Sequence, residues 1–163
     1  TTTTVERPGE IGLVLSAAVA LGLLVSMIAP TDAQAVQYGM IVLLASLFLL
    51  SGFDKLVGFD GTAGYIASRG LPMPTVVAAL TILLELGGGL LLVIGWMTRP
   101  LGLAFAGFTL LAALLFHAYW SVPEAARMSQ YLSFWKNVSI SGGMLLLAAF
   151  GPGRFSLDAG RAG

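Results

Sequence analysis

Five long apolar runs dominate the pattern of hydrophobic and polar positions. They cover residues 11–29, 36–56, 75–96, 101–119 and 131–150. A helix needs about 20 mostly apolar residues to cross a bilayer core of about 30 Å, whereas a spanning strand shows polar and apolar residues in alternation. The runs are continuously apolar. The sequence therefore predicts five membrane-spanning helices, here numbered spans 1 to 5.

Short links between the runs predict how the spans are arranged. Pro30-Thr31-Asp32 ends span 1, and Thr98-Arg99-Pro100 is predicted to be a tight turn between spans 3 and 4. Short connections make neighbouring helices antiparallel, as in an up-down bundle. The longer link 57–74 carries Tyr65-Ile66-Ala67 ahead of two prolines, which predicts a short helix in the membrane interface and a proline-initiated span 3.

Span 1 also has the pattern of a secretory signal, because Ala33-Gln34-Ala35 has the form of an A-x-A cleavage site. We interpret it as a retained spanning helix. The predicted organisation is an N-terminal tail and first helix over residues 1–35, followed by a four-helix membrane domain over residues 36–163.

Composition supports a multi-pass membrane protein in contact with the lipid bilayer. The 163 residues are 57% apolar and only 10% charged, against about 25% charged in a typical soluble protein. The formal net charge is zero, which argues against nucleic-acid binding. The sequence has no cysteine and one histidine, which excludes thiol chemistry, thiolate metal sites and a haem held by two histidines. No metal site is predicted.

Polar groups are predicted to converge on one side of the membrane. In an antiparallel bundle the ends of spans 2 and 4 lie on the same side as the starts of spans 3 and 5. That side receives Lys55, His117, Lys136 and Asn137, together with aromatic residues that include Trp135. The alternative interpretation is an ordinary belt of interfacial aromatic residues.

Glu85 lies about ten residues into span 3, or about 15 Å along the helix. An ionisable group at that depth is costly and usually faces the bundle interior. Glu85 could be a neutral acid, a proton carrier or half of an ion pair with Lys55 or Lys136. The alternative is a purely structural hydrogen bond between two helices. The adjacent Gly87-Gly88-Gly89 either leaves room for a ligand or allows close helix packing.

His117 is the only side chain here that titrates near neutrality in an ordinary environment. It could hydrogen-bond a quinone carbonyl or pass a proton. The alternative is an interfacial histidine bonded to a backbone carbonyl.

At these residues the sequence resembles the DoxX family of small bacterial membrane proteins. The resemblance covers roughly residues 38–160. It is carried in order by Ser51-Gly52-Phe53-Asp54-Lys55-Leu56, Leu83-Leu84-Glu85-Leu86-Gly87-Gly88-Gly89, Gly95-Trp96-Met97-Thr98-Arg99, Leu115-Phe116-His117, residues 134–143 (Phe134-Trp135-Lys136-Asn137 and onward), Gly151-Pro152-Gly153-Arg154 and Ser156-Leu157-Asp158. The family form resembles a four-helix bundle that begins at span 2, so span 1 is an addition, and Asp54 replaces a small residue.

The resemblance implies an all-α, up-down bundle with a DoxX-like four-helix core plus one additional N-terminal transmembrane helix. It also implies a location in the bacterial inner (cytoplasmic) membrane. Lys55, Glu85, His117, Lys136 and Asn137 match recurrent polar positions of the family. One branch is similar to the membrane subunit of a thiosulfate:quinone oxidoreductase, while many members have no assigned activity.

Two functional hypotheses remain open from the sequence. In the first, the chain is a quinone-linked redox protein or the membrane subunit of an oxidoreductase. Glu85 and His117 would then be catalytic, and a quinone would bind among Lys55, Lys136, Asn137 and Trp135. In the second, the chain is a non-catalytic accessory subunit that packs against other membrane protein subunits. A small transporter ranks last, since no inverted repeat supports it.

Overall fold

The computed structural model describes residues 32–153 and 156–158, together with the single positions 20, 24 and 27. Span 1 otherwise lies outside the described residues, so the additional N-terminal helix stays a prediction. Within the described chain every regular element is helical. The helices are α1 (Asp32–Val57), α2 (Phe59–Ser68), α3 (Pro74–Val93), α4 (Thr98–Phe116) and α5 (Glu124–Phe150), with a 3₁₀ turn at Tyr119–Ser121.

Four long helices form the bundle, and they correspond to spans 2 to 5. Of the described helices, α1, α3 and α4 are long and apolar enough to cross a membrane. Helix α5 has 27 residues, but polar residues such as Lys136 and Asn137 keep its apolarity below that of the other three. The predicted all-α membrane fold is confirmed. The short helix predicted around Tyr65 is present as α2.

Helix α3 contains a π-helical turn. Pro74–Ile82 is α-helical, Leu83–Gly88 is π-helical, and Gly89–Val93 is α-helical again. A π turn inserts one extra residue into a helix and often marks a functional site. Glu85 lies within this turn, so the π turn sets the direction of its side chain. The apolar periodicity of the sequence did not predict this turn.

The core lies where α1, α4 and α5 meet the second half of α3. Its centre is formed by buried side chains from these four helices: Ile41, Ala45, Phe48, Leu92, Phe105, Ala106, Met144 and Leu147. Lipid tails are as apolar as these residues, so close packing rather than hydrophobic burial holds such helices together. At Gly102 a Cβ would lie 2.9 Å from the Met144 carbonyl oxygen, which shows how closely α4 approaches α5.

The structure corrects two predicted boundaries. Helix α4 already begins at Thr98, so Thr98-Arg99-Pro100 is its first turn rather than a tight loop. A proline is tolerated there because that N–H has no partner within the helix. Helix α5 begins at Glu124, not at residue 131. Lys136 and Asn137 therefore lie near the middle of α5, about 18 Å from its start, and not in its first turns.

Candidate functional site

A cavity of about 930 Å³ lies between the five helices. Its walls are mainly apolar, with side chains such as Leu47, Phe108 and Ile140. Five of the six residues predicted for the site line this one cavity, namely Lys55, Glu85, His117, Lys136 and Asn137. The predicted convergence of these residues is thus present in the structure, while the chemical role of each remains a prediction.

Trp135 does not line the cavity. Its side chain is 47% exposed, and its ring lies edge-on to Phe134 at 5.6 Å and to Tyr131 at 6.3 Å between centroids. These contacts place Trp135 in an aromatic cluster on the outside of α5. The interfacial-belt interpretation fits this residue, and we do not retain it as a ligand-binding residue.

Glu85 and Lys55 form an ion pair between α3 and α1. The lysine Nζ donates hydrogen bonds to both carboxylate oxygens, at 3.0 Å to Oε1 and 2.9 Å to Oε2. The Ser51 hydroxyl donates to Oε1 at 3.2 Å and also accepts a hydrogen bond from Lys55. The side chain of Glu85 is only 4% exposed, whereas that of Lys55 is 30% exposed. Of the two lysines considered from the sequence, Lys55 is the partner.

A glycine brings the two helices close enough for this pair. A Cβ at Gly52 would lie 2.9 Å from Glu85 Cβ and 2.9 Å from Leu86 Cγ. Glycine in membrane helices permits this close backbone approach. The sequence motif that carries Ser51, Gly52 and Lys55 therefore supplies two polar partners of Glu85 and the space that lets them reach it.

The Gly87-Gly88-Gly89 run serves helix packing rather than ligand access. A Cβ at Gly88 would lie 2.9 Å from the Phe105 ring, and one at Gly89 would lie 2.9 Å from the Leu49 side chain. Both glycines are buried. Of the two interpretations open from the sequence, the structure supports the close approach of α3 to its neighbours at these two positions.

His117 immediately follows α4 and contacts α5. Its Nδ1 lies 2.9 Å from Oε1 of Gln130. The alternative interpretation from the sequence expected a hydrogen bond to a backbone carbonyl. The structure shows a hydrogen bond to a side-chain amide instead. Sequence reasoning missed Gln130. The available signal was its position seven residues before Asn137, because residues seven apart lie on the same face of a helix.

Lys136 and Asn137 line the cavity with polar side chains that have no hydrogen-bond partner among the described residues. Among the residues that the structure describes, neither side chain has a hydrogen bond or an ion pair. Both are donors, since a lysine ammonium carries three N–H groups and an asparagine amide two. Lys136 is exposed and Asn137 is half-buried, and their N–H groups suit a ligand with oxygen acceptors.

Helix α2 covers one end of the cavity with Thr62, Tyr65 and Ile66. Arg69, at the end of this helix, donates hydrogen bonds to the Tyr65 hydroxyl at 2.9 Å and to the Phe116 carbonyl at 3.3 Å. The Tyr65 and Phe116 rings also pack, with centroids 5.4 Å apart. These contacts fasten α2 to the end of α4, next to His117.

The opposite end of the bundle explains two further sequence motifs. The Asp158 carboxylate accepts hydrogen bonds from the backbone N–H groups of Met97 at 2.9 Å and Thr98 at 2.8 Å. The N–H of Asp158 in turn donates to the Gly95 carbonyl at 3.0 Å. Asp158 thereby caps the start of α4 from a distant part of the chain. These motif residues are structural and lie away from the cavity.

Comparison with known proteins identifies the family. A family model described as DoxX matches residues 41–118. Inner membrane protein YphA of Escherichia coli (strain K12) is 44% identical over 112 residues, covering 69% of this chain and 80% of that protein. Inner membrane protein YqjF of the same organism is 44% identical over 117 residues, covering 72% and 85% respectively. No solved structure matches.

These relatives and the three apolar helices of spanning length place the chain in the bacterial inner membrane. The family match begins at Ile41 within α1 and ends at Ala118, just after α4, and so includes Lys55, Glu85 and His117. The chain belongs to the DoxX family of integral membrane proteins.

Proposed function

We propose that the cavity binds the head group of a lipid-soluble quinone, and that the chain is a quinone-linked redox protein or the membrane subunit of an oxidoreductase. The observation that carries this proposal is the combination of one large apolar cavity with a small set of polar side chains. Small-molecule sites typically have volumes of about 300–1,000 Å³, apolar walls and a few placed polar groups. The cavity of about 930 Å³ fits that description.

The available polar groups suit a quinone head. A quinone carries carbonyl oxygens, which only accept hydrogen bonds, and Lys136 and Asn137 offer N–H groups without another described partner. Apolar side chains such as Leu47, Leu111 and Leu115 line the remaining walls and would contact the ring and an isoprenoid tail.

Glu85 and Lys55 would handle protons for this site. Conversion of a quinone to a quinol takes up two protons and two electrons. Glu85 lines the cavity, while its partner Lys55 is 30% exposed. The pair therefore joins the cavity to a more accessible position, and Ser51 bridges the two side chains. Such an arrangement can hold a proton near the ligand without leaving an unpaired charge inside the bundle.

A second redox component would supply or accept the electrons. The sequence has no cysteine to form a disulfide, an iron–sulfur centre or a thiol nucleophile. This favours a membrane subunit that works with a redox partner. The partner is defined by its chemistry, as a protein or domain that carries a two-electron donor or acceptor.

Equilibrium dialysis in nanodiscs tests quinone binding directly. A short-tailed, radiolabelled quinone is measured against the protein, and empty nanodiscs correct for partition into lipid. Lys136→Met should weaken binding about 10- to 100-fold, because a hydrogen bond to a charged group contributes about 1.5–3 kcal/mol. Arg127→Met is the matched control: Arg127 is an exposed cation on the same helix and does not line the cavity.

Two results would contradict the proposal. The first is no saturable binding above that of empty nanodiscs. The second is equal loss of affinity in the Lys136 and Arg127 variants, which would reflect surface charge rather than the cavity.

The accessory-subunit hypothesis is the alternative, and native mass spectrometry separates the two. Protein extracted gently from its own membrane should carry an adduct with the mass of a quinone if the cavity binds one. An assembly in which the chain carries no adduct would favour a structural subunit, and Lys55–Glu85 would then only join two helices.

A further inference from the structure

The hydrogen bond between His117 and Gln130 determines what the histidine offers to a ligand. The two residues belong to different parts of the bundle, since His117 follows α4 and Gln130 lies in the second turn of α5. His117 lines the cavity and Gln130 does not. Nδ1 of His117 lies 2.9 Å from Oε1 of Gln130, so this ring nitrogen already has a hydrogen-bond partner within the protein.

The orientation of the Gln130 amide selects one tautomer of the neutral ring. With Oε1 facing the ring, as in the structure, the amide oxygen accepts a hydrogen bond, and this bond forms only when Nδ1 carries the hydrogen. A neutral imidazole has one N–H group, and the nitrogen left without it is an acceptor. In the neutral ring Nε2 is thus an acceptor.

We propose that Gln130 is a positioning residue that holds His117 in its Nδ1–H form, so that the cavity selects the hydroxyl-bearing, reduced form of its ligand. This inference rests on the proposed function. A quinol hydroxyl can donate to Nε2, whereas a quinone carbonyl would oppose its lone pair to that of the nitrogen. Lys136 does not discriminate, because an ammonium group donates equally to a carbonyl or a hydroxyl oxygen. The amide N–H groups of Asn137 also donate to either, although its Oδ1 can accept only from a hydroxyl.

The tautomer can be measured without any ligand. His117 is the single histidine of the sequence, so ¹⁵N-histidine labelling gives signals from this residue alone. The spectrum of the full-length protein in nanodiscs, at a pH where the shifts show a neutral ring, should report a protonated Nδ1 and an unprotonated Nε2. A ring protonated at Nε2 would overturn the proposal.

The role of Gln130 is tested by two substitutions. Gln130→Glu keeps an oxygen acceptor and should retain the Nδ1–H form when the ring is neutral. Gln130→Leu removes the acceptor and should give a mixture of tautomers. If Gln130→Leu leaves the ¹⁵N spectrum unchanged, Gln130 does not set the tautomer and the proposal fails.

Ligand selection is measured with the two redox forms of one short-tailed head group under anaerobic conditions. The unsubstituted protein and Gln130→Glu should bind the quinol about fivefold more tightly than the quinone, as expected for one hydrogen bond. In Gln130→Leu the ratio should fall towards one.

The outcomes separate this inference from the function on which it rests. Binding of both forms with equal affinity in the unsubstituted protein would refute selection by His117 and leave quinone binding intact. Binding of neither form would refute both the quinone function and the selection, even if the Nδ1–H tautomer is observed.

Discussion

Removal of Lys55 should destabilise the bundle more than removal of the charge on Glu85. The structure gives the reason as an asymmetry in exposure. Lys55→Met leaves a carboxylate with a 4% exposed side chain and only the Ser51 hydroxyl as a partner. Glu85→Gln instead leaves a lysine that is already 30% exposed and can extend towards the headgroup region, as long cationic side chains do.

The expected sizes follow from these contacts. Breaking a buried ion pair by removing one partner costs about 3–5 kcal/mol. We expect the lower end, about 3 kcal/mol, for Lys55→Met because the remaining carboxyl keeps one hydrogen bond. Glu85→Gln retains an amide oxygen for the lysine and should cost about 1 kcal/mol. The double variant should be about 1–2 kcal/mol more stable than Lys55→Met alone, since it no longer contains the unpaired charge.

Reversible unfolding in mixed micelles, followed by tryptophan fluorescence, measures these free energies for all four proteins of the cycle. The reasoning is wrong if Lys55→Met lies within about 0.5 kcal/mol of the unsubstituted protein. It is also wrong if the double variant equals the sum of the single variants, because additive effects indicate that the two residues do not interact.

Two further predictions concern packing and capping, and both use the same unfolding measurement. Gly52→Ala should cost about 1–3 kcal/mol, because the new Cβ would lie 2.9 Å from Glu85 Cβ; Gly142→Ala, with nothing within 4 Å, is the matched control, and equal effects would contradict the close approach. Asp158→Ala should cost about 1 kcal/mol by removing the cap on Met97 and Thr98. Asp158→Asn should retain most of that stability, and no difference between the two substitutions would argue against a capping role.

The sequence was sufficient for the membrane fold because long apolar runs carry a strong physical signal. It also placed Lys55, His117, Lys136 and Asn137 on one side of the membrane, since antiparallel helices put the end of one span beside the start of the next. This geometric argument uses only the order and length of the spans. It does not require knowledge of which faces pack.

Other features depended on packing that no linear pattern records. The π turn at Leu83–Gly88 has the same apolar composition as an ordinary helical turn. The start of α5 was placed too late because four of its first seven residues are polar, namely Glu124, Arg127, Ser129 and Gln130, although this segment is helical. Trp135 belongs to the same sequence motif as Lys136. Its side chain nevertheless faces outward, because successive residues on a helix point in directions about 100° apart.

Gln130 was missed for a related reason. An isolated glutamine in a polar helical segment is unremarkable by sequence, and its importance arises only from the 2.9 Å contact with His117 across two helices. The cavity itself is likewise a property of the packed bundle, since residues from five helices line it.

Photoaffinity labelling tests the central claim, quinone binding within the bundle, most directly. A short-tailed quinone with a photoreactive group on its ring is bound in nanodiscs, irradiated and mapped by mass spectrometry. We predict labelling of cavity-lining segments, around residues 108–116 of α4 with the following His117, and around residues 136–140 of α5. Unlabelled quinone should abolish this labelling, and an alkylbenzene of the same length should not. Labelling confined to outward-facing residues such as Leu103 or Leu146, unchanged by unlabelled quinone, would contradict the account.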